Sequence, residues 1–179
     1  SAEVERFFQV VLIDPLSNPN LLAVRPGSDG FEDASPWTTS ATNGQATRVT
    51  NEYHNGQASA AEVMQTGTVT WAITSNLTIQ AASPYRMSVW AKMSAGCEGR
   101  IMMQLMFTDG VGTPVGKRTL PIPDGESDWS RYSLVIMPPT NAVYVSQAIL
   151  QASGSGTVWF DDASLVRVLP SEQLLAANT

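Results

Sequence analysis

This sequence predicts an all-β fold, an antiparallel β-sandwich of jelly-roll type. Three observations carry that expectation. Asx-Gly turn signals recur at strand-like spacing, at Asn43-Gly44, Asn55-Gly56, Asp109-Gly110 and Asp124-Gly125, a chemistry that reaches positive φ cheaply. The segments between them alternate apolar and polar residues with period two. No segment sustains the 3.6-residue periodicity of a long helix. About nine or ten short strands with such turns indicate a sandwich or jelly roll.

The elements follow in chain order. Residues 1–19 read as an N-terminal arm, with an apolar run from Phe7 to Ile13 (FFQVVLI) followed by Asp14-Pro15 and Asn18-Pro19. Candidate strands follow at 46–52 and 59–65. Thr68 to Thr74 alternates Val69, Trp71 and Ile73 against Thr70, Ala72 and Thr74. Tyr85 to Met93 sets Tyr85, Met87, Val89, Ala91 and Met93 against Arg86, Ser88, Trp90 and Lys92. Arg100 to Thr108 sets Ile101, Met103, Leu105 and Phe107 against Met102, Gln104, Met106 and Thr108. Both faces of that strand are rich in apolar groups, so it is either central or meets a partner. Further candidates lie at 115–122, 129–137, 142–152 and 157–168. The jelly roll spans 20–168. Residues 169–179 form a tail, where Ser171 could cap one or two helical turns.

Composition narrows the function. The chain has 179 residues, the size of one ordinary domain, and 43% are apolar, enough for a core. The charged fraction is 15% and the net charge is −6. The ten basic residues are scattered, which excludes nucleic acid as the expected partner, because neutralising phosphates needs clustered Lys and Arg. One cysteine, Cys97, permits no intrachain disulfide. Ser1 to Arg6 lacks the basic start of a signal peptide, and Val10 to Ile13 is far too short to span a bilayer. The expectation from these features is a protein made in the cytoplasm, with no membrane insertion.

Catalysis is not expected. The single histidine, His54, lies in an apparent turn, and no Gly-x-Ser-x-Gly nucleophile motif is present. A His-based zinc site lacks ligands for the same reason. A candidate sugar platform is Trp90 with Arg86 beside it, Gln104 as counterpart on the next strand and Gln147 on a later one. Pyranose rings stack on aromatic faces while amides and charged groups bond the hydroxyls. Trp71 is the second aromatic candidate, though it shares its face with Val69 and Ile73, which points to core. Core packing is also the expectation for Trp37 and Trp129.

An ordered set of segments carries a resemblance. It runs Asn20-Leu21-Leu22, Gly30-Phe31-Glu32-Asp33, Trp37, Gly56-Gln57-Ala58-Ser59, Trp71-Ala72-Ile73, Tyr85 to Lys92, Trp129-Ser130-Arg131-Tyr132 and Gly156 to Leu165. Together, over roughly residues 20–168, they resemble the carbohydrate-binding modules of xylanases and other glucanases, which have a galactose-binding-domain-like jelly roll. The same jelly roll is similar to modules of virion structural proteins, including capsid decoration (cement) proteins of tailed phages. The resemblance implies a structural calcium at Glu32 and Asp161, the other reading being that both carboxylates accept backbone N–H groups at a strand junction.

Two functions follow as expectations. The first is a non-catalytic capsid decoration subunit on the virion surface. It would be a homo-oligomer partnered with the major capsid protein, clamped by arm residues Phe7, Phe8, Val10, Leu12, Leu174 and Leu175. The alternative is a carbohydrate-binding module of a secreted glycanase or adhesin, taking β-glucan or xylan.

Overall fold

The computed structural model describes residues 18–169. The arm residues Phe7, Phe8, Val10 and Leu12, the tail residues Leu174 and Leu175, and the Ser171 cap lie outside the described residues. Eight strands and no helix are present among the described residues: β1 Trp37–Val49, β2 Ser59–Ile73, β3 Leu77–Thr78, β4 Tyr85–Met93, β5 Glu98–Thr108, β6 Pro114–Ile122, β7 Ser127–Ile136 and β8 Tyr144–Arg167. Every pairing is antiparallel. The fold is the predicted all-β jelly-roll sandwich.

The strand β8 organises it. At about 3.3 Å per residue its 24 residues would span about 79 Å if straight, about twice the width of a domain this size. It therefore bends around the core. One edge pairs with β2 from Ala148 to Phe160. The other edge pairs first with β5, from Tyr144 to Ser155, and then with β4, from Val158 to Arg167. The partner changes at the bend, so β5–β6 and β4–β7 diverge into two layers that share β8. The bend needs glycine. Gly154 sits opposite Gly99, and a Cβ on either would lie 2.0 Å from a carbonyl oxygen of the facing strand. Both have the positive φ that favours glycine, +133° and +136°.

The core lies between the layers. Ile101, Met103, Leu105 and Phe107 of β5 and Tyr85, Met87, Val89, Ala91 and Met93 of β4 are all buried within it, as the alternation predicts. Leu150, Phe160 and Leu165 of β8 fill the same core. Phe31 stacks on Trp37 at 4.9 Å and meets Trp71 edge-on at 5.5 Å.

Four strand expectations need correction. The segments expected at 59–65 and 68–74 are one strand, β2, broken by a bulge between Gln65 and Gly67. Those expected at 142–152 and 157–168 are likewise one strand, β8, because the Gly-Ser-Gly at 154–156 makes a bend rather than a turn. Asn43-Gly44 is a bulge inside β1, which starts nine residues earlier than expected. Its Thr- and Ser-rich stretch is exposed, so it has no apolar alternation to read. The two-residue β3 gave no signal.

One buried group runs against the fold. Glu62 of β2 is fully buried beside the core residues Ala60 and Met64. Neither carboxylate oxygen has a hydrogen-bond partner among the described residues. Burial pushes its pKa well above the ordinary value, while the backbone at Ala152 and Trp71 offsets part of that effect. Burial disfavours the charged form, so the folded chain holds this proton to a higher pH than the unfolded chain does. The unfolded chain releases that proton above about pH 4.5 and the folded chain does not, so Glu62 makes stability fall as pH rises past that value. Glu62→Gln is expected to flatten that fall, whose ceiling for one group is about 1.4 kcal/mol per pH unit, read as the urea midpoint at pH 7 against pH 4.5. An unchanged slope would show that the folded chain does not hold that proton.

Candidate functional site

A cluster of charged and aromatic groups, His54, Trp90, Trp129, Glu52, Lys92 and Asp162, gathers on the outward face of β4 under the loop at residues 50–58. The register sets Trp90 opposite Arg131 of β7 and Asp161 of β8. The His54 ring stacks on Trp90, with centroids 3.7 Å apart and planes inclined by 15°, and lies 5.9 Å from Trp129. Its Nδ1 is 2.8 Å from Asp162 Oδ2. Below it, Glu52 Oε1 accepts from Trp129 Nε1 at 3.0 Å and from Lys92 Nζ at 3.1 Å. The hydrogen bond from Lys92 to Glu52 is the first cause of a raised lysine pKa. Lys92 also lies 3.7 Å from Asp128.

Two carboxylates fix that loop from beneath. Asp161 Oδ2 accepts the backbone N–H of His54 at 2.9 Å and of Asn55 at 3.1 Å, and Oδ1 accepts that of Asp162 at 2.8 Å. Asp161 is fully buried, and burial raises its pKa to about 6 against the partial compensation of those N–H groups. Glu32 Oε1 accepts from Gln57 N at 2.6 Å and Ala58 N at 3.1 Å. Its Oε2 lies 4.0 Å from Arg48. These contacts account for Gly56, where a Cβ would meet Glu32 Oε1 at 2.1 Å.

Glu32 and Asp161 each accept backbone N–H groups where the first and last segments meet, the contacts that the second sequence reading names. Five backbone N–H donors aim at these two carboxylates. No group of three or more His, Cys, Asp or Glu suited to a metal occurs among the described residues.

The candidate sugar residues do not assemble. The strands β4 and β5 are not paired; each pairs with β8, on either side of its bend. Trp90 and Arg86 lie on the outward face of one layer, while Gln104 and Gln147 lie on that of the other. Gln104 is not across from Trp90. It sits between Ile149 and Thr119, bonded to Thr119 Oγ1 at 2.8 Å, and Gln147 is opposite Met106. Arg86 lies between Val135 and Val166. Trp71 is a core residue, 4% exposed, so it offers no platform. What the sequence reading missed is His54, Trp129 and Glu52. Trp129 is half-buried on the outward cluster rather than in the core. His54 is 36 residues from its stacking partner, and the bonds that Asp161 and Asp162 of β8 make to its loop bring them together.

The chemistry available around these groups is limited. His54 is committed to Asp162 and Trp90, and no Ser, Thr or Cys side chain hydrogen-bonds it among the described residues. Burial, then the charge of Asp124, raises the Cys97 thiol and disfavours the nucleophilic thiolate. A cleft of about 750 Å³ at the β8 bend, lined by Thr66, Glu98, Gly99, Asp124 and Gly154 among others, contains no aromatic ring.

Three results are expected. Asp161→Ala strands three backbone donors and is expected to cost about 1–3 kcal/mol, read from urea unfolding; a neutral result would show that the loop does not depend on it. His54→Ala should lose about 0.5–1.5 kcal/mol and raise quenching of tryptophan fluorescence by acrylamide, because it uncovers Trp90. Unchanged quenching would refute the stack. EDTA should leave Tm unmoved, whereas a fall of several degrees would show a cation completing the Glu32–Asp161 junction.

No protein-family model matches the sequence, and no curated protein matches it significantly. Solved structures do match. The enzymatically active domain of tailspike protein 4 from bacteriophage CBA120 superposes with a TM-score of 0.60 at 21% identity, over 82% of this chain and 21% of that one. The endo-1,4-β-D-xylanase 10B of Clostridium thermocellum, a family 22 carbohydrate-binding module joined to a catalytic module and complexed with xylohexaose, gives 0.57 at 19%, over 78% and 28%. A xylan-binding module of the Paenibacillus barcinonensis enzyme Xyn10C gives 0.55 at 13%, over 78% of this chain and 91% of the module. The chain thus spans 21% and 28% of the two larger proteins and nearly all of the isolated module. At these identities the likeness establishes the fold, a carbohydrate-binding-module-like jelly roll.

Proposed function

We propose that this chain is a non-catalytic virion structural subunit, a capsid decoration protein that uses a carbohydrate-binding-module-like jelly roll as its scaffold. One observation carries the reading. Where a sugar-binding module would offer an open aromatic ring, this chain covers its own: His54 lies 3.7 Å over Trp90 and is held by Asp162. Apolar surface is left open elsewhere, at Leu134, Val135 and Met137, which are 39%, 53% and 49% exposed. Surface of that kind suits a protein partner. The tailspike likeness supports the reading in that a virion protein contains the same sandwich. The site of action on this reading is the virion surface, with the major capsid protein as partner.

A second reading has its own observation. The outward face of β5, β8 and β2 carries Gln104, Gln147, Gln151 and Thr70; Gln151 is opposite Thr70 and donates from Nε2 to its Oγ1 at 3.2 Å, while Gln104 is opposite Ile149 and Gln147 opposite Met106. Amides on one face can bond sugar hydroxyls, and the similar module from Paenibacillus barcinonensis is described as xylan-binding. That face has no stacking ring among these residues, so it would bind weakly.

Co-sedimentation decides between them. The purified chain is expected to saturate capsids of the encoding virus prepared without it, and to show no retention on xylan or β-glucan in affinity electrophoresis. Retention on a glucan that Gln147→Ala abolishes, with no capsid binding, would overturn the assembly reading in favour of the second.

A further inference from the structure

We propose that two copies of this chain join edge to edge through β7, as an antiparallel pair about a two-fold axis at Ser133. This names the contact between copies that the assembly reading above calls for, and rests on that reading. β7 pairs with β4 along one edge. No strand among the described residues pairs with its other edge.

The backbone shows which groups face that edge. Val168 N donates to Pro84 O, so the even-numbered residues of β4 turn their backbone groups to β8 and the odd-numbered ones to β7. The odd residues Tyr85, Met87 and Val89 are opposite Ile136, Leu134 and Tyr132. The even residues of β7 therefore bond β4, while Arg131, Ser133 and Val135 point their N–H and C=O groups to the open edge. Met137, the next odd residue, fits this pattern: its O accepts from Arg118 Nε of β6 at 2.8 Å. The side chains also lack a neighbour there. Leu134 shares the inward row of Tyr132 and Ile136, yet it is 39% exposed where Ile136 is 5% exposed. The other edges are defended. β1 carries a bulge between Thr42 and Gly44, and β6 carries Pro114, Lys117 and Pro121, devices that discourage strand addition. β7 has neither proline nor lysine.

The same edge of a second copy completes this one, and the groups already engaged select the register. An axis at Ser133 sets Arg131 opposite Val135 of the second copy and Ser133 opposite Ser133 of the second copy. Every outward N–H and C=O of the three residues is then paired. An axis at Tyr132 would need Trp129 N, which Asp128 Oδ1 holds at 2.8 Å. One at Leu134 would need Met137 O, which Arg118 holds. One at Arg131 would set two guanidiniums face to face. With the axis at Ser133, Tyr132 of each copy lies opposite Leu134 of the other, in the closer, non-hydrogen-bonded kind of pair. An aromatic ring thus covers the exposed leucine, and the stem of Arg131 covers Val135.

Charge fits the same arrangement. Each chain carries a net charge of −6, so two copies repel unless the contact opposes it. Antiparallel pairing carries the acidic start of β7, Glu126 and Asp128, toward Arg118 at the end of the second copy's β7. The contact repeats on both sides of the axis, as a two-fold interface requires.

The test is light scattering on the full chain from about 1 to about 200 µM, around the affinities of ordinary protein contacts. The wild type is expected to pass from monomer to dimer. Ser133→Pro removes an N–H that faces away from β4, a place where an edge strand tolerates proline. It should be monomeric throughout with unchanged circular dichroism. Val135→Lys, which sets a lysine opposite Arg131 of the second copy, should be monomeric too, and decides the matter if the proline variant unfolds. On mild oxidation Ser133→Cys should form a disulfide between copies, since paired residues lie about 5.5 Å apart. Arg131→Cys should not, because its two copies lie about 13 Å apart along the strands. The native Cys97 is buried and gives no background. A wild type monomeric at every concentration, an oligomer indifferent to both edge variants, or Arg131→Cys cross-linking as readily as Ser133→Cys would overturn the proposal. A monomer that still coats capsids would sink this inference alone. A dimer joined at Ser133 that ignores capsids would sink only the assembly reading.

Discussion

The structure depends on one strand that belongs to two layers. β8 pairs with β2 on one edge and, in succession, with β5 and β4 on the other. Its backbone ladder can remain continuous only if the strand turns a corner without breaking, and the facing pair Gly99 and Gly154 allows that approach. From this follows the layering, and from the layering follows which side chains can meet. Trp90 and Gln104 lie on strands adjacent in sequence, yet the corner sends their outward faces to different layers.

The fold was largely legible because alternation records burial. β4 spans the residues its pattern predicts, Tyr85–Met93, and the inward rows of β4 and β5 are core. Legibility failed where burial leaves no alternation. Exposed β1 has no inward apolar row over its first half, and the irregularities in β2 and β8 shift the phase so that one strand reads as two. The candidate site was less legible still. Glu32 and Asp161 stand out from local segments, with acceptance of backbone N–H groups as one of two roles. The stack of His54 on Trp90 has no local signature, because it is made by a loop returning over a strand far along the chain.

Electrostatics follows the same geography. The loop at 50–58 is held by two carboxylates, of which Asp161 is buried and titrates near pH 6. Its N–H partners come from the loop that carries His54, so the ring over Trp90 and the carboxylate beneath it are one unit. Glu62 is the contrasting case, a buried acid whose oxygens lack a hydrogen-bond partner among the described residues. It costs stability at neutral pH, and nothing in the structure explains why β2 carries it.

The scaffold closes its own aromatic ring, His54 over Trp90, and leaves Leu134, Val135 and Met137 exposed at the end of β7. Hydrogen exchange on the intact chain at low and high concentration, with and without xylan, tests that most directly. Amides of 131–137 should gain protection as concentration rises, while xylan should protect nothing. Amides of β7 that exchange freely at every concentration, with xylan protecting the strand around Gln104 and Gln151, would contradict it.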